Sequence, residues 1–230
     1  MFTGFTDKTF DFLFGIHFNN ERLWFSDHKE DYKTHLLQPM TELSREVFAR
    51  LIQLCPGREL LCRVARIYKD ARRYRGISPY KESLWFTIRG PVEVWQDCPT
   101  FWFELTRNGW SYGLGFYEAK SATMARHREL IDRAPRRLQK LRSDLLGQTE
   151  FQLTGTPYAR FKPCAVTALA GWYNYKTFSI LHESEDCSQV YDGPALVERL
   201  VQGFRFLMPY YDYFYPLCQD VRAASGSERS

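Results

Sequence analysis

The sequence of 230 residues has no long hydrophobic run and no closely spaced pair of cysteines, and each absence excludes a class of protein. No apolar stretch approaches the roughly 20 residues that a membrane-spanning helix needs, so we expect no membrane partner. The six cysteines are scattered along the chain, so the CxxC spacing of zinc knuckles and of thioredoxin-like redox sites does not occur.

The amino terminus also lacks the basic stretch followed by an apolar stretch that marks a secretory signal. An even number of cysteines would permit a disulfide framework, but disulfides belong mainly to secreted proteins. We therefore predict a cytoplasmic protein in which all six thiols are reduced and most of them are buried.

Common catalytic motifs are missing as well. Neither GxSxG, HExxH nor GxxxxGK(S/T) occurs, so hydrolases with a nucleophile elbow, zincins and P-loop proteins have no motif support. His28 and His35, with Asp31 between them, could share a helix face and ligate a metal, but the two histidines lack the i, i+4 spacing of zinc-binding helices. We interpret them as part of a polar helix surface, predict no metal site and can name no cofactor.

Aromatic residues, by contrast, are abundant. The chain contains 18 Phe, 14 Tyr and 6 Trp, or 17% of its residues, which predicts a core built on rings. Hydrophobic residues at 44% and charged residues at 25% are ordinary values for a globular protein. We predict one domain over residues 1–218 and a flexible tail over residues 219–230, where small polar residues dominate.

Apolar residues at helical spacing predict helices in both terminal regions. The first two helices begin after Asp7 and after Asn20, and a break or kink is expected at Pro39 because proline lacks the amide donor. Helical spacing returns over residues 121–147, and again from Asp192 to Pro209, where we expect the last helix to end. A short aromatic segment then closes the core.

Between these regions the hydrophobic period changes to that of strands, over residues 60–68, 83–89, 101–117, 151–155 and 175–181. The clearest signal is Asn108-Gly109, which lies between two alternating runs and predicts a hairpin with a two-residue turn. One face of that hairpin is then core: Phe101, Phe103, Leu105, Tyr112, Leu114 and Phe116. Gly113 and Gly115 lie on the other face and leave room for a close approach to the backbone.

The predicted fold is therefore α+β: a single domain with amino-terminal helices, a largely antiparallel sheet containing the 101–117 hairpin, and carboxy-terminal helices. Strand order and oligomeric state do not follow from the pattern.

Positive charge is concentrated in the segment from Arg66 to Lys81. From residue 58 to residue 81, eight basic side chains oppose two acidic ones, in a protein whose net charge is only +4. Gly76 and Pro79 predict that this basic segment is mostly a loop. Guanidinium and ammonium groups suit phosphate or carboxylate oxygens, so we expect a phosphate-bearing ligand to be held by four of them, namely Arg66, Lys69, Arg72 and Lys81.

Two alternatives stay open for the basic segment. It could be a solvated loop whose charges pair among themselves. Asp70, the carboxylate among these cations, would either orient an arginine or act on a bound ligand. A second basic run lies over residues 126–142, where we favour a solvated helix surface.

Several local motifs resemble a family known as domain of unknown function 2461. They are residues 2–5, 9–13, 19–25, 66–72, 78–81 and 115–117, together with Tyr32, Pro39, Met124, Arg128 and Ile131. The resemblance extends to about Leu217 and implies a compact, mostly cytoplasmic α+β protein with no established activity. It also implies that Asn19, Asn20, Trp24 and Tyr32 belong with the basic segment. The chain departs from the family pattern at Lys69, Arg73, Tyr74, Gly76 and Ile77.

Two functions are compatible with these patterns. In the first, a basic polar pocket binds a small anionic or phosphate-bearing ligand, with catalysis possible but without motif support. Its expected residues are Asn19, Asn20, Trp24, Tyr32, Arg66, Lys69, Asp70, Arg72, Ser78, Tyr80 and Lys81. In the second, the basic segment and the arginine-rich helices dock an acidic protein or a nucleic-acid backbone. Nucleic acid is the weaker choice because the net charge is small and no nucleic-acid module is recognisable.

Overall fold

The computed structural model describes residues 1–70, 76, 78–92, 95–133 and 136–227, with backbone alone for residues 220–227. Arg72, one of the predicted ligand residues, lies outside the described residues.

The amino-terminal region is helical, as predicted. Helix α1 spans Asp7–Phe18, α2 spans Arg22–Asp27 and the single turn α3 spans Lys29–Asp31. A π-helical turn, Tyr32–Leu37, leads directly into α4, which spans Gln38–Leu54. The expected break at Pro39 is wrong: the chain stays helical there, because Pro39 falls in the first turn of α4, where a missing amide donor matters least.

Six strands form one antiparallel sheet in the order β1-β2-β3-β4-β6-β5, so the predicted α+β fold is confirmed. The strands are β1 Leu61–Val64, β2 Ser83–Arg89, β3 Pro99–Thr106, β4 Gly109–Phe116, β5 Gln152–Pro157 and β6 Tyr175–Ser184. In the β5–β6 pair, Gln152 lies opposite Leu181 and Thr156 opposite Thr177.

The β3–β4 hairpin turns one residue earlier than predicted, at Arg107-Asn108, since β4 already begins at Gly109. The hydroxyl of Thr106 accepts from the Asn108 N–H (3.2 Å) and donates to Gly109 O (3.0 Å). Gly109 does not adopt the positive φ that the predicted type of turn requires; in the described chain only Gly4 and Gly57 do. The predicted core face is nevertheless buried: Phe101, Phe103, Leu105, Tyr112, Leu114 and Phe116.

The remaining helices are α5 Ser121–Arg133, α6 Arg136–Leu146, α7 Ala170–Tyr173 and α8 Gly193–Ser227, and three short 3-10 turns span Trp95–Asp97, Thr167–Leu169 and Cys187–Val190. The predicted end of α8 at Pro209 is wrong, because the helix continues through Pro209 and Pro216 into the expected tail. Beyond Pro209 the helix buries Tyr210, Tyr211 and Phe214. Their burial stabilises the helix against the roughly 3 kcal/mol that an internal proline costs.

Contacts between Cα atoms divide the chain into two compact units. The first unit comprises Met1–Ile88, Trp102–Tyr112 and Glu183–Arg205, and its core includes Phe5 and Phe86 stacked against Phe103. The second unit comprises Arg89–Phe101, Gly113–His182 and the chain from Phe206 onward, and its core includes Phe178 packed edge-on against Phe214. A single domain over residues 1–218 stays a prediction.

Cys98 and Cys218, both in the second unit, form a disulfide with their Cα atoms 5.6 Å apart. The prediction of six reduced thiols is therefore wrong for this pair. Free thiols are carried by Cys55, Cys62, Cys164 and Cys187. Burial raises the pKa of the Cys62 thiol to about 11, which keeps this thiol protonated and unreactive at neutral pH.

Across the described part of the chain, no helix combines the length and the apolar character that crossing a bilayer requires.

Candidate functional site

The two ends of the basic segment are paired with each other and are not loop. Beyond β1 and β2 the ladder continues, with N–H···O bonds from Ala65 to Trp85 (2.8 Å), from Lys81 to Ile67 (2.8 Å) and from Lys69 to Pro79 (2.9 Å). An antiparallel bridge joins Tyr68 to Tyr80. The prediction of a loop is thus wrong for these two ends, and Lys69 and Tyr80 are held in defined positions.

Asn20 connects this ladder to the amino-terminal helices. Its side-chain amide donates to Tyr80 O (3.0 Å), and its Oδ1 accepts from the Tyr80 N–H (3.0 Å). Both backbone groups of Tyr80 are satisfied by one side chain. The asparagine therefore positions the ladder against α2.

A cleft of about 510 Å³ lies between α2 and the end of the ladder. Its aromatic wall is formed by Phe25 and Tyr80, which stack at 4.1 Å, and by Tyr68, which meets Phe25 edge-on at 5.7 Å. Among the described residues, three that line it are cationic and none is acidic. The described lining is Arg22, Phe25, Ser26, Lys29, Tyr68, Lys69, Gly76, Pro79 and Tyr80.

A second, smaller cleft of about 320 Å³ shares Phe25, Lys29 and Tyr68 with the first. It adds the cations Lys33 and Arg66, and none of its described lining residues is acidic. Lys33 pairs with the carboxylate of Glu30 outside the cleft (2.6 Å). The other lining residues are Tyr32, Leu37, Val64, Ala65 and Ile67. Counted over the described residues, the two clefts together present five basic side chains.

Tyr32 and Tyr80 are neutral at physiological pH. Burial raises the pKa of Tyr32 to about 12, and burial also raises the pKa of Tyr80. The positive charge of Arg22 acts on the pKa of Tyr80 in the opposite direction. A guanidinium and a phenol thus line the same cleft.

Four of the predicted site residues line these clefts: Tyr32, Arg66, Lys69 and Tyr80. Among the described residues, the others predicted in the basic segment, namely Asp70, Ser78 and Lys81, do not. Lys81 donates to Arg66 O (2.6 Å) and lies over the Trp85 ring at 4.1 Å, and burial lowers its pKa. Asp70 and Ser78 are outside both linings.

Three predicted residues of the amino-terminal block, Asn19, Asn20 and Trp24, line neither cleft and make structural contacts. Asn19 is exposed and ends α1, where its side chain donates to Gly15 O (3.1 Å). Trp24 stacks on His28 at 4.1 Å, and a Cβ added at Gly15 would strike the Trp24 ring. Asn20 is engaged with Tyr80, as described above.

Sequence reasoning missed the contribution of α2 and its continuation: Arg22, Phe25, Ser26, Lys29 and Lys33. A usable signal was present, because residues 22, 26, 29 and 33 recur at the spacing of one helix face. The possible metal-ligand pattern on this stretch involves His28 instead. Nδ1 of His28 donates to Trp24 O (2.8 Å), and the described residues hold no group of three potential metal ligands.

The second basic run occupies α5 and α6, in the second unit. Its cations are engaged locally: Arg126 pairs with Glu129 (3.1 Å), and Lys140 pairs with Asp144 (2.6 Å). Arg128 donates to the hydroxyl of Tyr158 (3.1 Å). These contacts fit a solvated helix surface.

A comparison with protein families matches residues 8–213 to the model described as "Conserved hypothetical protein (DUF2461)". The match covers most of the chain and bears out the resemblance seen in its motifs. No curated protein matches the chain.

Proposed function

We infer the function from the clefts themselves, because the chain belongs to the DUF2461 family of conserved hypothetical proteins, whose description names no activity. We propose that the protein binds a small anionic, phosphate-bearing compound in the 510 Å³ cleft between α2 and the end of the ladder. No reaction is part of the proposal.

The observation that carries the proposal is the charge of the lining. Arg22 of α2, Lys29 of α3 and Lys69 at the end of the ladder all line the larger cleft, and Arg66 lines the adjoining one. A concave surface lined by one sign of charge raises the local concentration of ions of the opposite sign. Among the described residues, both linings contain cations and contain neither Asp nor Glu.

Preorganisation supports the same proposal. The Phe25–Tyr80 stack and the hydrogen bonds of the Asn20 amide hold the cleft wall through contacts within the protein. A site that needs little ordering on binding loses less affinity to conformational entropy. The volume is also within the usual range of small-molecule sites, about 300–1,000 Å³.

Titration with inorganic pyrophosphate by calorimetry tests the proposal. We expect saturable binding that weakens as salt is raised, and a loss of at least about tenfold in affinity for Arg22→Ala and for Lys29→Ala. Lys8→Ala is the matched control, because Lys8 is exposed on α1 and lines neither cleft. Equal affinities in all four proteins, or no binding at low salt, would exclude the proposal.

Docking of an acidic protein or a nucleic-acid backbone is less well supported, because several cations of α5 and α6 already have partners. A filter-binding assay with single-stranded and double-stranded DNA at low salt tests this alternative, since binding to a nucleic-acid backbone depends steeply on salt.

The cytoplasmic location also stays a proposal. The Cys98–Cys218 disulfide argues against it, because such bonds are rare in that compartment.

A further inference from the structure

Tyr68 is the lining residue that the charge argument does not explain. It is 51% exposed, and it lines both clefts together with Phe25 and Lys29. An anion that needed only cations would gain little from a large ring at the boundary of the two clefts. The ring therefore indicates a second kind of contact with the ligand.

The Tyr68 ring is held in place although half of it faces solvent. It meets Phe25 at 5.7 Å and Tyr80 at 5.3 Å, and the Tyr68–Tyr80 bridge fixes its backbone. The neighbouring bonds from Lys69 to Pro79 and from Lys81 to Ile67 close the ladder on both sides. A ring that is already ordered can stack on a ligand at low entropic cost.

Cations lie on both sides of this ring. Arg22 and Lys69 line the larger cleft only, Arg66 and Lys33 line the smaller cleft only, and Lys29 lines both. A ligand whose flat ring covers Tyr68 would therefore bring an attached phosphate within the basic lining. A cleft of 510 Å³ has room for a ring and a sugar in addition to the phosphate.

We propose that the ligand is a nucleoside phosphate whose base stacks on Tyr68 while its phosphate meets the cations of the cleft. This inference rests on the proposed function and adds the chemical class of the ligand. Stacking on an aromatic side chain accepts any base, because every base has a π-face. The proposal therefore concerns nucleotides as a class.

The test compares AMP with ribose 5-phosphate by calorimetry, because the two differ only in the base. We expect AMP to bind about tenfold more tightly to the natural protein. The ratio of the two affinities should fall towards one in Tyr68→Leu, which keeps an apolar side chain but removes the π-face. It should persist in Tyr68→Phe and in Tyr117→Ala, an exposed tyrosine outside both clefts.

The outcomes separate this inference from the proposed function. If both compounds bind equally and both affinities fall with Lys29→Ala, the cleft binds anions but the nucleotide is excluded. If AMP keeps its advantage over ribose 5-phosphate in Tyr68→Leu, stacking of the base on Tyr68 is excluded. If neither compound nor pyrophosphate binds, the proposed function fails as well. If an acidic peptide binds through Tyr68 and AMP does not bind, the proposal that the ligand is a nucleotide is also overturned.

Discussion

Asn20 shows how a single polar side chain can join two distant parts of the chain. Its amide satisfies both backbone groups of the buried Tyr80. We expect Asn20→Ala to lower the free energy of unfolding by about 2 kcal/mol, because both groups lose their partner. Urea unfolding at pH 7 measures the change.

Asn19→Ala is the matched control for this prediction. Asn19 is exposed and makes one side-chain bond, to Gly15 O, so we expect a loss of about 0.5 kcal/mol or less. Equal losses in the two variants would show that the contact with Tyr80 adds nothing to stability.

His127 is buried among the rings of Phe178, Tyr213 and Phe214, and burial lowers its pKa from 6.5 to about 4. Well above pH 6.5 the ring is neutral in both the folded and the unfolded chain, so its protonation does not affect stability. As the pH falls below 6.5 the unfolded chain takes up a proton first, so stability is lost down to about pH 4.

We therefore expect the natural protein to lose about 2 kcal/mol between pH 7 and pH 5 through this one residue. His127→Leu should remove that part of the pH dependence, whatever its stability at pH 7. Unfolding curves of both proteins at the two pH values give the difference. Parallel pH profiles would show that His127 does not titrate in this range.

At the level of single residues, the sequence motifs predicted that the amino-terminal block and the basic segment come together. They were less informative about the contacts that each side chain makes. Asn20 and Tyr80 belong to motifs separated by 60 residues, and they do meet. The Asn20 amide bonds the backbone of Tyr80, because an asparagine amide suits a backbone amide as well as a ligand. Whether the asparagine binds a backbone amide or a ligand depends on which of them lies within reach, and tertiary packing determines that.

At the level of elements, Gly113 and Gly115 mark where β6 approaches the backbone of β4, as the hairpin pattern predicted. A Cβ at Gly113 would collide with Ile180 O and with Leu181. We expect Gly113→Ala to destabilise the protein by about 1–3 kcal/mol, because backbone atoms on the neighbouring strand would have to move. Thermal or urea unfolding measures the loss.

Gly171→Ala, in the same unit, is the control for that prediction. It lies in helix α7, and a Cβ there would meet nothing within 4 Å. Alanine favours a helix over glycine, so the change should be neutral or should stabilise by up to about 1 kcal/mol. Destabilisation of similar size at both positions would contradict a specific collision at the β4–β6 pair.

Periodicity predicted the existence of most elements but not their ends. The hairpin turned one residue early because Thr106 bonds across the turn. Helix α8 passed Pro209 because the residues beyond it are buried on one face. In both cases a contact outside the local pattern decided the boundary, and local propensity could not reveal it.

At the level of the whole molecule, composition and period were enough for the α+β fold, because both report on burial averaged over many residues. The disulfide was missed for the opposite reason. Cys98 and Cys218 are 120 residues apart in the sequence, and only the packing of the second unit brings them together. The cationic lining of the larger cleft also depends on tertiary packing, since Arg22 and Lys29 come from α2 and α3 and Lys69 comes from the end of the ladder.

The disulfide makes a quantitative prediction about the purified protein. Titration of the denatured, unreduced chain should find four thiols, those of Cys55, Cys62, Cys164 and Cys187. Reduction should lower the free energy of unfolding by about 3 kcal/mol or more, because the bond closes a long loop in the unfolded chain.

In the double variant Cys98→Ala, Cys218→Ala the reductant should have no effect on the free energy of unfolding, whereas Cys187→Ser should respond as the natural protein does. Six reactive thiols before reduction would mean that the pair is held reduced, and the original expectation of a cytoplasmic thiol protein would then be restored.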